Sequence, residues 1–431
     1  MSSGSGIDRR RFMQLAGLGG AAVLAGCKQS ESGSDTARTL KIGYVSPRTG
    51  PLAGFGEADD FILGGVRKAL EGGLAIGGST YPVEIVTKDS QSDPNRAAAV
   101  AGDLINADKV DLMLVASTPE TTNPVADQCE ANGVPCISSV APWQPWFFGR
   151  KGDPNKPFQW TYHFFWGLED IIAVFTDMWS QVDNNKVVAA LWPNDGDGNA
   201  WGDKKLGFPP ALTKEGYKIV DPGRYQNGTE DFSSQISRFK AANAEIVTGV
   251  PIPPDWTTFW KQASQQGFQP KIASVGKALL FPASVEALGD IGDGMSTEVW
   301  WSPQHPFKSS LTGATAAQVA EEYQTQTNKQ WTQPIGFVHA LFEVAAAALK
   351  AGGNVDDKQA LANAIKAVNL DTMVGKISWS GGPVPNVAKT PLVGGQWRKG
   401  TGKYPFDLVI VSNKDHPEIP KAGTLEAIPY S

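Results

Sequence analysis

The chain has 431 residues, of which 41% are hydrophobic and 19% are charged, a composition that predicts a globular protein large enough for two or three lobes. Its formal net charge of −6, with no Lys/Arg stripe beyond the extreme N-terminus, excludes the electrostatic footprint of a nucleic-acid-binding protein. After residue 30 no apolar run approaches the roughly 20 residues that cross a bilayer, so we expect any membrane attachment to come from the N-terminus.

The N-terminal segment predicts export and lipid attachment. Its sequence is DRRRFMQLAGLGGAAVLAGC, in which Arg9 and Arg10 precede a Gly/Ala-rich apolar run that ends at Cys27. This order resembles a twin-arginine export signal joined to a bacterial lipobox, which implies that residues 1–26 are removed and that Cys27 receives lipid. An amphipathic or buried helix is the alternative, but the glycines weaken any helix. The polar residues 27–38 are expected to form a flexible tether.

From residue 39 onward, short apolar runs alternate with helical segments. The predicted strands are LKIGYVS, YPVEIVTKDS, VDLMLVAS and VPCISSV. The predicted helices between them are EADDFILGGVRKALEGG, NRAAAVAGDLINAD and TNPVADQCEANG, the last ending at Gly133. Such alternation is typical of parallel strands joined by helical crossovers, and it predicts a first α/β lobe.

Two cysteines lie in this lobe, Cys129 in the last predicted helix and Cys136 in the strand that follows. In the oxidising compartment that the export signal predicts, we expect a disulfide between them. Two buried free thiols are the alternative, because spacing alone does not establish disulfide geometry. A zinc site is not expected, since none of the four histidines lies close in sequence.

After the aromatic run FQWTYHFFW the alternation begins again. The predicted strands are KVVAALW, YKIVDPGRY, EIVTGVP, PKIASVG and STEVWWSP, with helical segments between them. A later helix, PIGFVHALFEVAAAALKAGG, is apolar on nearly every face and is expected to be buried. The chain therefore predicts a second α/β lobe, and two such lobes imply a ligand crevice at the carboxyl ends of their strands.

Motifs for catalysis or metal binding are not found in the sequence, so we expect no cofactor and no metal. The loop PNDGDGNAWGD has the spacing of the first EF-hand ligands, but Ala200 and Leu206 replace its glycine and its glutamate. A turn that caps the next helix explains the loop better, and its place after a strand leaves a ligand contact open. His163 is kept as a possible ligand contact, whereas His339 is expected in the core.

Four segments resemble the periplasmic solute-binding proteins of branched-chain amino-acid-type ABC transporters. They are IGYVSPRTGPLAGFGE, VASTPETTNPVADQCEANGVPCISS, FVHALFEVAAAALKAGG and GKISWSG, and the resemblance spans residues 39–431. It implies an α/β fold of two Rossmann-like lobes joined by three crossovers, the type I periplasmic binding protein fold, which closes on ligand by hinge motion. Lobe 1 is then expected over residues 39–160 plus 303–382, and lobe 2 over residues 161–302 plus 383–431.

The resemblance also implies positions for ligand contacts in the first lobe. Phe55 matches an aromatic residue that packs on the ligand, and Ser117 and Thr118 fall near the hydroxyl and backbone contacts to a ligand carboxylate. A role for Ser117 or Thr118 as a helix cap is the alternative. Further contacts are implied after the next strand, at Ser139, Val140, Ala141 and Trp143.

The second lobe departs from the amino-acid-binding members. The acidic residue that holds a ligand ammonium group is absent from the loops GVPIPPD and SVGKALL, where Lys277 stands at or beside its position and Asp255 could substitute in part. Together with Trp143, Trp166 and Phe55, Lys277 suits an anion with an apolar or aromatic body better than a zwitterion. The many aromatic residues near the crossovers, with 14 Trp in the chain, fit core packing and cleft lining equally well.

We therefore expect a monomeric, lipid-anchored binding protein outside the inner membrane. It would capture a small carboxylate-bearing solute, either an amino acid or an aromatic or apolar organic acid, and present it to an ABC permease. A ligand-sensing lipoprotein of the same fold is the second possibility. An exported α/β enzyme is the third, although neither a nucleophile with a base nor a set of metal ligands supports it.

Overall fold

The computed structural model describes residues 37–430. The predicted export signal and Cys27 lie outside the described residues. The strands are β1 Leu40–Ser46, β2 Leu74–Ile76, β3 Ser79–Tyr81, β4 Val83–Asp89, β5 Leu112–Ala116, β6 Cys136–Ser139, β7 Thr161–Phe164, β8 Val187–Leu191, β9 Lys218–Val220, β10 Ile246–Gly249, β11 Ile272–Val275, β12 Ser296–Val299, β13 Asn369–Thr372, β14 Gly375–Ser378, β15 Val387–Ala388, β16 Val393–Lys399 and β17 Phe406–Ser412. The helices are α1 Asp59–Ala69, α2 Pro94–Asn106, α3 Pro119–Asn132, α4 Trp143–Phe147, α5 Leu168–Trp179, α6 Gly196–Trp201, α7 Phe208–Lys214, α8 Ser233–Ala241, α9 Pro253–Gln265, α10 Pro282–Glu286, α11 Ala316–Thr327, α12 Pro334–Gly352 and α13 Lys358–Lys366.

Two large sheets organise these elements. The first has the strand order β15-β7-β6-β5-β1-β4, and all its pairs are parallel. The second has the order β17-β16-β12-β11-β10-β8-β9 and is parallel except for β16, which runs antiparallel to both of its neighbours. The chain passes between the sheets after β7, after β12 and after β15. The predicted fold of two Rossmann-like lobes joined by three crossovers is thus confirmed.

Two of the crossovers lie a few residues beyond the predicted lobe boundaries. Strand β7 pairs with β6 and strand β15 pairs with β7, so both belong to the first sheet. The predicted ranges 161–302 and 383–431 had assigned them to lobe 2. The aromatic run that contains β7 continues without a turn residue into the crossover, so the sequence offers no break at the end of the strand.

Local sequence explains why the first-lobe elements begin and end where they do. Helix α2 starts with Pro94 at its first turn, and the Asp93 side chain caps it by accepting a 2.7 Å hydrogen bond from the Arg96 amide. Helix α3 ends, as predicted, at Gly133, whose φ of 65° lies in the left-handed region that favours glycine. Strand β5 is buried along its whole length, which places it in the middle of a parallel sheet.

Helix α12 is the centre of the first lobe. It is buried over most of its length, as its all-round apolar pattern predicted, and it packs against α1, α13 and the strands β2, β5 and β6. Within residues 37–430 it is also the one helix long and apolar enough, by length and composition only, to cross a membrane. Because 78% of that apolar window is buried inside the protein, α12 is the core helix of the lobe.

The disulfide expected between Cys129 and Cys136 is not present in the structure. Both residues are free thiols, fully buried where α3 packs on β6. They belong to an apolar cluster with Val115, Val125 and Val134, where cysteine acts as a small hydrophobic side chain. Burial, together with the neighbouring Cys136, raises the pKa of the Cys129 thiol well above its usual value, so this thiol stays protonated and poorly reactive.

Candidate functional site

A cavity lies between the two lobes at the carboxyl ends of their strands. It is lined by Phe55, Thr118, Val140, Pro142, Phe165, Trp166, Asp197, Trp201, Val250, Lys277, Leu280, Glu298 and Trp300. The space that no atom fills is about 300 Å³, but only about 20 Å³ of it has room for the centre of a water molecule. A solute of several non-hydrogen atoms therefore needs the lobes further apart than they are in this structure, both to enter and to stay bound.

Five of the nine predicted ligand-binding residues line this cavity: Phe55, Thr118, Val140, Trp166 and Lys277. Each follows a strand of one sheet or the other, or lies in the first crossover. The alternative role of Thr118 as a helix cap finds no support. Thr118 is the N-cap residue of α3 but its side chain makes no capping hydrogen bond, and its buried hydroxyl has no partner within the described residues.

The other four predicted residues do not line the cavity. The Ser139 hydroxyl donates to the Phe164 carbonyl at 2.6 Å, and the Trp143 indole N–H donates to Glu169 at 3.1 Å, next to the first crossover. Ser117 and Ala141 are fully buried next to lining residues, Ser117 just before Thr118 and Ala141 just after Val140.

His163, which was kept as a possible ligand contact, belongs to the interior of the first lobe. Its ring nitrogens lie 2.9 Å from the Ser138 hydroxyl and 2.7 Å from the Ala141 carbonyl oxygen, and its ring stacks on Trp146. Burial lowers the His163 pKa to about 3, so the ring is neutral. His163 is therefore a packing residue with satisfied hydrogen bonds.

Lys277 is not free to neutralise an anion. Its ammonium nitrogen lies 3.1 Å from Asp195 Oδ2 and 2.9 Å from Asp197 Oδ2, and all three side chains are almost completely buried. Burial alone would lower the Lys277 pKa, but the attraction of Asp195 and Asp197 raises it well above its usual value. The cation is therefore permanent and is already paired within the second lobe.

Acidic residues of the second lobe line the cavity, but they do not come from the two loops that correspond to the acid of the amino-acid-binding members. The loops GVPIPPD and SVGKALL contribute none to the cavity lining, but Asp197 of α6 and Glu298 of β12 both line it. Burial is the main cause that raises the pKa of each carboxyl group to about 7. Asp255, proposed as a substitute, lies elsewhere and accepts hydrogen bonds from the Gly228 amide.

The loop PNDGDGNAWGD, which lacks two of the EF-hand residues, has two roles. The Asp195 carboxylate accepts a 2.7 Å hydrogen bond from the Gly198 amide, which confirms that the loop caps the following helix, α6. One residue into that helix, Asp197 reaches the cavity. Within residues 37–430 no group of three or more His, Cys, Asp or Glu residues could hold a metal ion.

The backbone is strained at two cavity-lining residues, one in each lobe. Val140, after β6, has a φ of 75°, and Lys277, after β11, has a φ of 56°. A branched side chain such as valine rarely adopts the left-handed region, and such residues persist where the surrounding structure determines them fully. Their position at facing strand ends is typical of a functional site.

Two contacts join the lobes beside the cavity. The Glu120 carboxylate of α3 accepts a 2.5 Å hydrogen bond from the Gly196 amide at the start of α6. A β-carbon at position 196 would lie only 2.9 Å from the same carboxylate oxygen, so a larger residue there would displace the Glu120 side chain. Phe55 of the first lobe packs edge to face on Phe281 of the second, with 5.0 Å between ring centroids. These contacts hold the cleft shut.

A family model described as periplasmic binding protein matches residues 39–401. The chain belongs to the periplasmic binding protein family. Among curated relatives, the Leu/Ile/Val-binding protein homolog 3 of Brucella melitensis is 23% identical over 361 residues, which cover 79% of this periplasmic binding protein and 87% of the relative.

Solved structures show the same fold. A leucine-binding protein from Thermotoga maritima superposes with a TM-score of 0.69 at 20% identity, covering 88% of this chain and 100% of that one. A solute-binding protein of an ABC transporter from Rhodopseudomonas palustris BisB5, in complex with 3,4-dihydroxybenzoic acid, has a TM-score of 0.69 at 19% identity, with 87% and 96% coverage.

These relatives are binding proteins of transporters, and none of them is an enzyme. This periplasmic binding protein is accordingly a solute-binding protein of the branched-chain amino-acid ABC transporter type, a class whose members bind small molecules and work with ABC permeases. The exported-enzyme possibility is set aside.

Proposed function

We propose that this protein captures a small polar solute in the cavity between its lobes and, in the closed form, presents it to an ABC permease. The observation that carries the proposal is the composition of the cavity wall, to which both lobes contribute aromatic and polar side chains at their strand ends. A solute bound there would bridge the lobes and favour the closed arrangement.

Of the two solute classes expected from the sequence, the organic acid has the weaker support. Its carboxylate was expected to pair with Lys277, which instead binds Asp195 and Asp197. An amino acid gains support, because Asp197 lines the cavity and its Oδ1, unpaired among the described residues, could accept from an ammonium group. The related structures named for leucine binding and solved with 3,4-dihydroxybenzoic acid indicate that the fold can serve both classes.

Solute retention tests the proposal. We expect native mass spectrometry of the full chain, purified without denaturation, to show a bound small molecule that is lost on unfolding. Glu120→Ala removes the charged acceptor of an interlobe hydrogen bond, worth about 1.5–3 kcal/mol, and should weaken retention about 10- to 100-fold. The exposed Glu71→Ala serves as the control and should retain solute like the wild type. Equal retention by both variants would show that the Glu120 contact does not contribute to closure.

We further propose that the protein is exported folded through the twin-arginine route and anchored by lipid on Cys27. The order Arg9, Arg10, apolar run and Cys27 supports this. Cys27→Ser should move the protein from the membrane fraction to the soluble periplasmic fraction, as judged by fractionation and immunoblotting. Recovery of the variant in the membrane fraction would contradict a lipid anchor at Cys27.

A further inference from the structure

The charged groups of the cavity do not suit a ligand with a net negative charge. Lys277 is the cationic side chain of the lining, and it is already shared between Asp195 and Asp197. Glu298 adds a further buried carboxyl group to the same wall. An anionic solute would therefore lose its hydration without gaining a counter-charge, which is costly in a closed cavity.

The unpaired hydrogen-bonding atoms of the lining indicate which donors and acceptors a complementary solute carries. Among the described residues, the indole N–H groups of Trp166, Trp201 and Trp300 are buried and have no partner. An indole nitrogen can only donate, so these three groups require acceptors. The Thr118 hydroxyl, also buried and unpartnered, can donate or accept.

Apart from the Thr118 hydroxyl, one side-chain acceptor of this lining has no partner among the described residues. It is Asp197 Oδ1, whereas the other Asp197 oxygen binds Lys277. Both oxygens of Glu298 are used, by the Lys277 amide at 3.2 Å and by the Thr297 hydroxyl at 2.9 Å. The unpaired donors thus outnumber the unpaired acceptors, and a complementary solute carries an oxygen acceptor together with at least one N–H donor.

We propose that the cleft binds a small uncharged carboxamide, with its carbonyl oxygen held by indole N–H groups and Thr118 and its N–H group directed to Asp197. Phe55, Phe165 and Leu280 line the cavity and provide apolar contact for a short carbon chain or ring. This inference rests on the proposed function and narrows it to a chemical class.

Cationic and zwitterionic solutes fit the cavity less well than an uncharged amide. An organic cation such as a simple amine offers only donors, so the indole N–H groups would stay unpaired. A zwitterionic amino acid satisfies donors and acceptors, but its carboxylate would be buried beside Asp197 and Glu298 without a free cation. An amide offers the same acceptor and donor without either charge.

Four solutes with the same branched carbon chain test the proposal by calorimetry on the full chain, freed of co-purified solute by unfolding and refolding. They are isovaleramide, isovalerate, isoamylamine and leucine. We expect isovaleramide to bind at least 10-fold more tightly than each of the other three. Tighter binding of leucine, of the acid or of the amine overturns the inference but leaves the proposed function intact.

Two further outcomes separate the inference from the proposed function. If none of the four binds but native mass spectrometry shows a bound solute, the amide inference is overturned and the proposed function, capture of a small solute, is retained. If none binds and no solute co-purifies, both are overturned.

A second threonine, three positions further along the chain, provides a matched control. Thr118 and Thr121 are both buried and neither hydroxyl has a partner among the described residues, but only Thr118 lines the cavity. Thr118→Val should weaken isovaleramide binding about tenfold, with no loss of thermal stability, because the hydroxyl has no partner among residues 37–430. Thr121→Val should bind like the wild type. Equal affinity of the two variants would overturn the placement of the amide carbonyl beside Thr118.

Discussion

Replacing Lys277 with methionine is expected to destabilise the protein by about 3–5 kcal/mol, since removing one partner of a buried ion pair leaves uncompensated buried charge. The lost cation serves two carboxylates, at 3.1 Å and 2.9 Å, and all three side chains are at most 4% exposed. Methionine preserves the length and apolar stem of lysine, so the effect measures the charge rather than a cavity.

The stability lost on Lys277→Met should increase as the pH rises. The Asp197 pKa is already raised to about 7 from 3.8 with Lys277 present, and removing the cation raises it further. A folded-state pKa above the unfolded value means that stability is lost as the pH rises through the folded value. The Lys277→Met variant should therefore be most destabilised at pH 8 and recover part of its stability at pH 5.

Urea unfolding at both pH values measures these differences. The control is Lys376→Met, which breaks a 3.0 Å pair with Asp371 in which both side chains are more than half exposed. That change should cost less than about 1 kcal/mol at either pH. If Lys277→Met were no more destabilised than the control, Asp195 and Asp197 would not depend on the Lys277 charge.

Glu298→Gln is expected to stabilise the protein at alkaline pH. Burial raises the Glu298 pKa to about 7 from 4.5, so ionisation of the folded protein above pH 7 costs up to about 3 kcal/mol. The sign follows from the raised pKa, because stability is greatest below the unfolded value and is lost as the pH rises through 7. Glutamine does not titrate, and its oxygen can accept from the Lys277 amide while its NH2 group donates to the Thr297 hydroxyl oxygen.

The free energy of unfolding should therefore be similar for the two proteins near pH 5 and higher for the variant by about 1–3 kcal/mol at pH 9. Glu71→Gln, at an exposed position, should follow the wild type at every pH. A variant that tracks the wild-type pH profile would show that Glu298 is not the group that ionises in this range.

The sequence predicted the first-lobe wall of the cavity better than the second. Thr118 and Val140 come directly after strands whose apolar runs are easy to recognise, and the carboxyl ends of parallel strands meet at one edge of the sheet. Order along the chain is then enough to bring such residues together.

The second-lobe wall was harder to predict, because its charges are set by ion pairs between residues far apart in the sequence. Lys277 meets Asp195 across 82 positions of sequence, and nothing near either residue indicates that the ammonium group is already neutralised. Glu298 was missed although it is a single acid within a buried strand, a signal that could have identified it. The free thiols were expected only as the alternative, because the disulfide was inferred from the compartment rather than from geometry.

Helix α12 has a consequence for the export route proposed above. A translocase that threads an unfolded chain would meet a 19-residue segment whose length and average composition, though not an unbroken apolar run, match those of a membrane span. Folding first places the same residues inside a lobe, where no membrane can reach them. The route expected from Arg9 and Arg10 accepts folded cargo. For this chain it would therefore prevent α12 from inserting into the membrane.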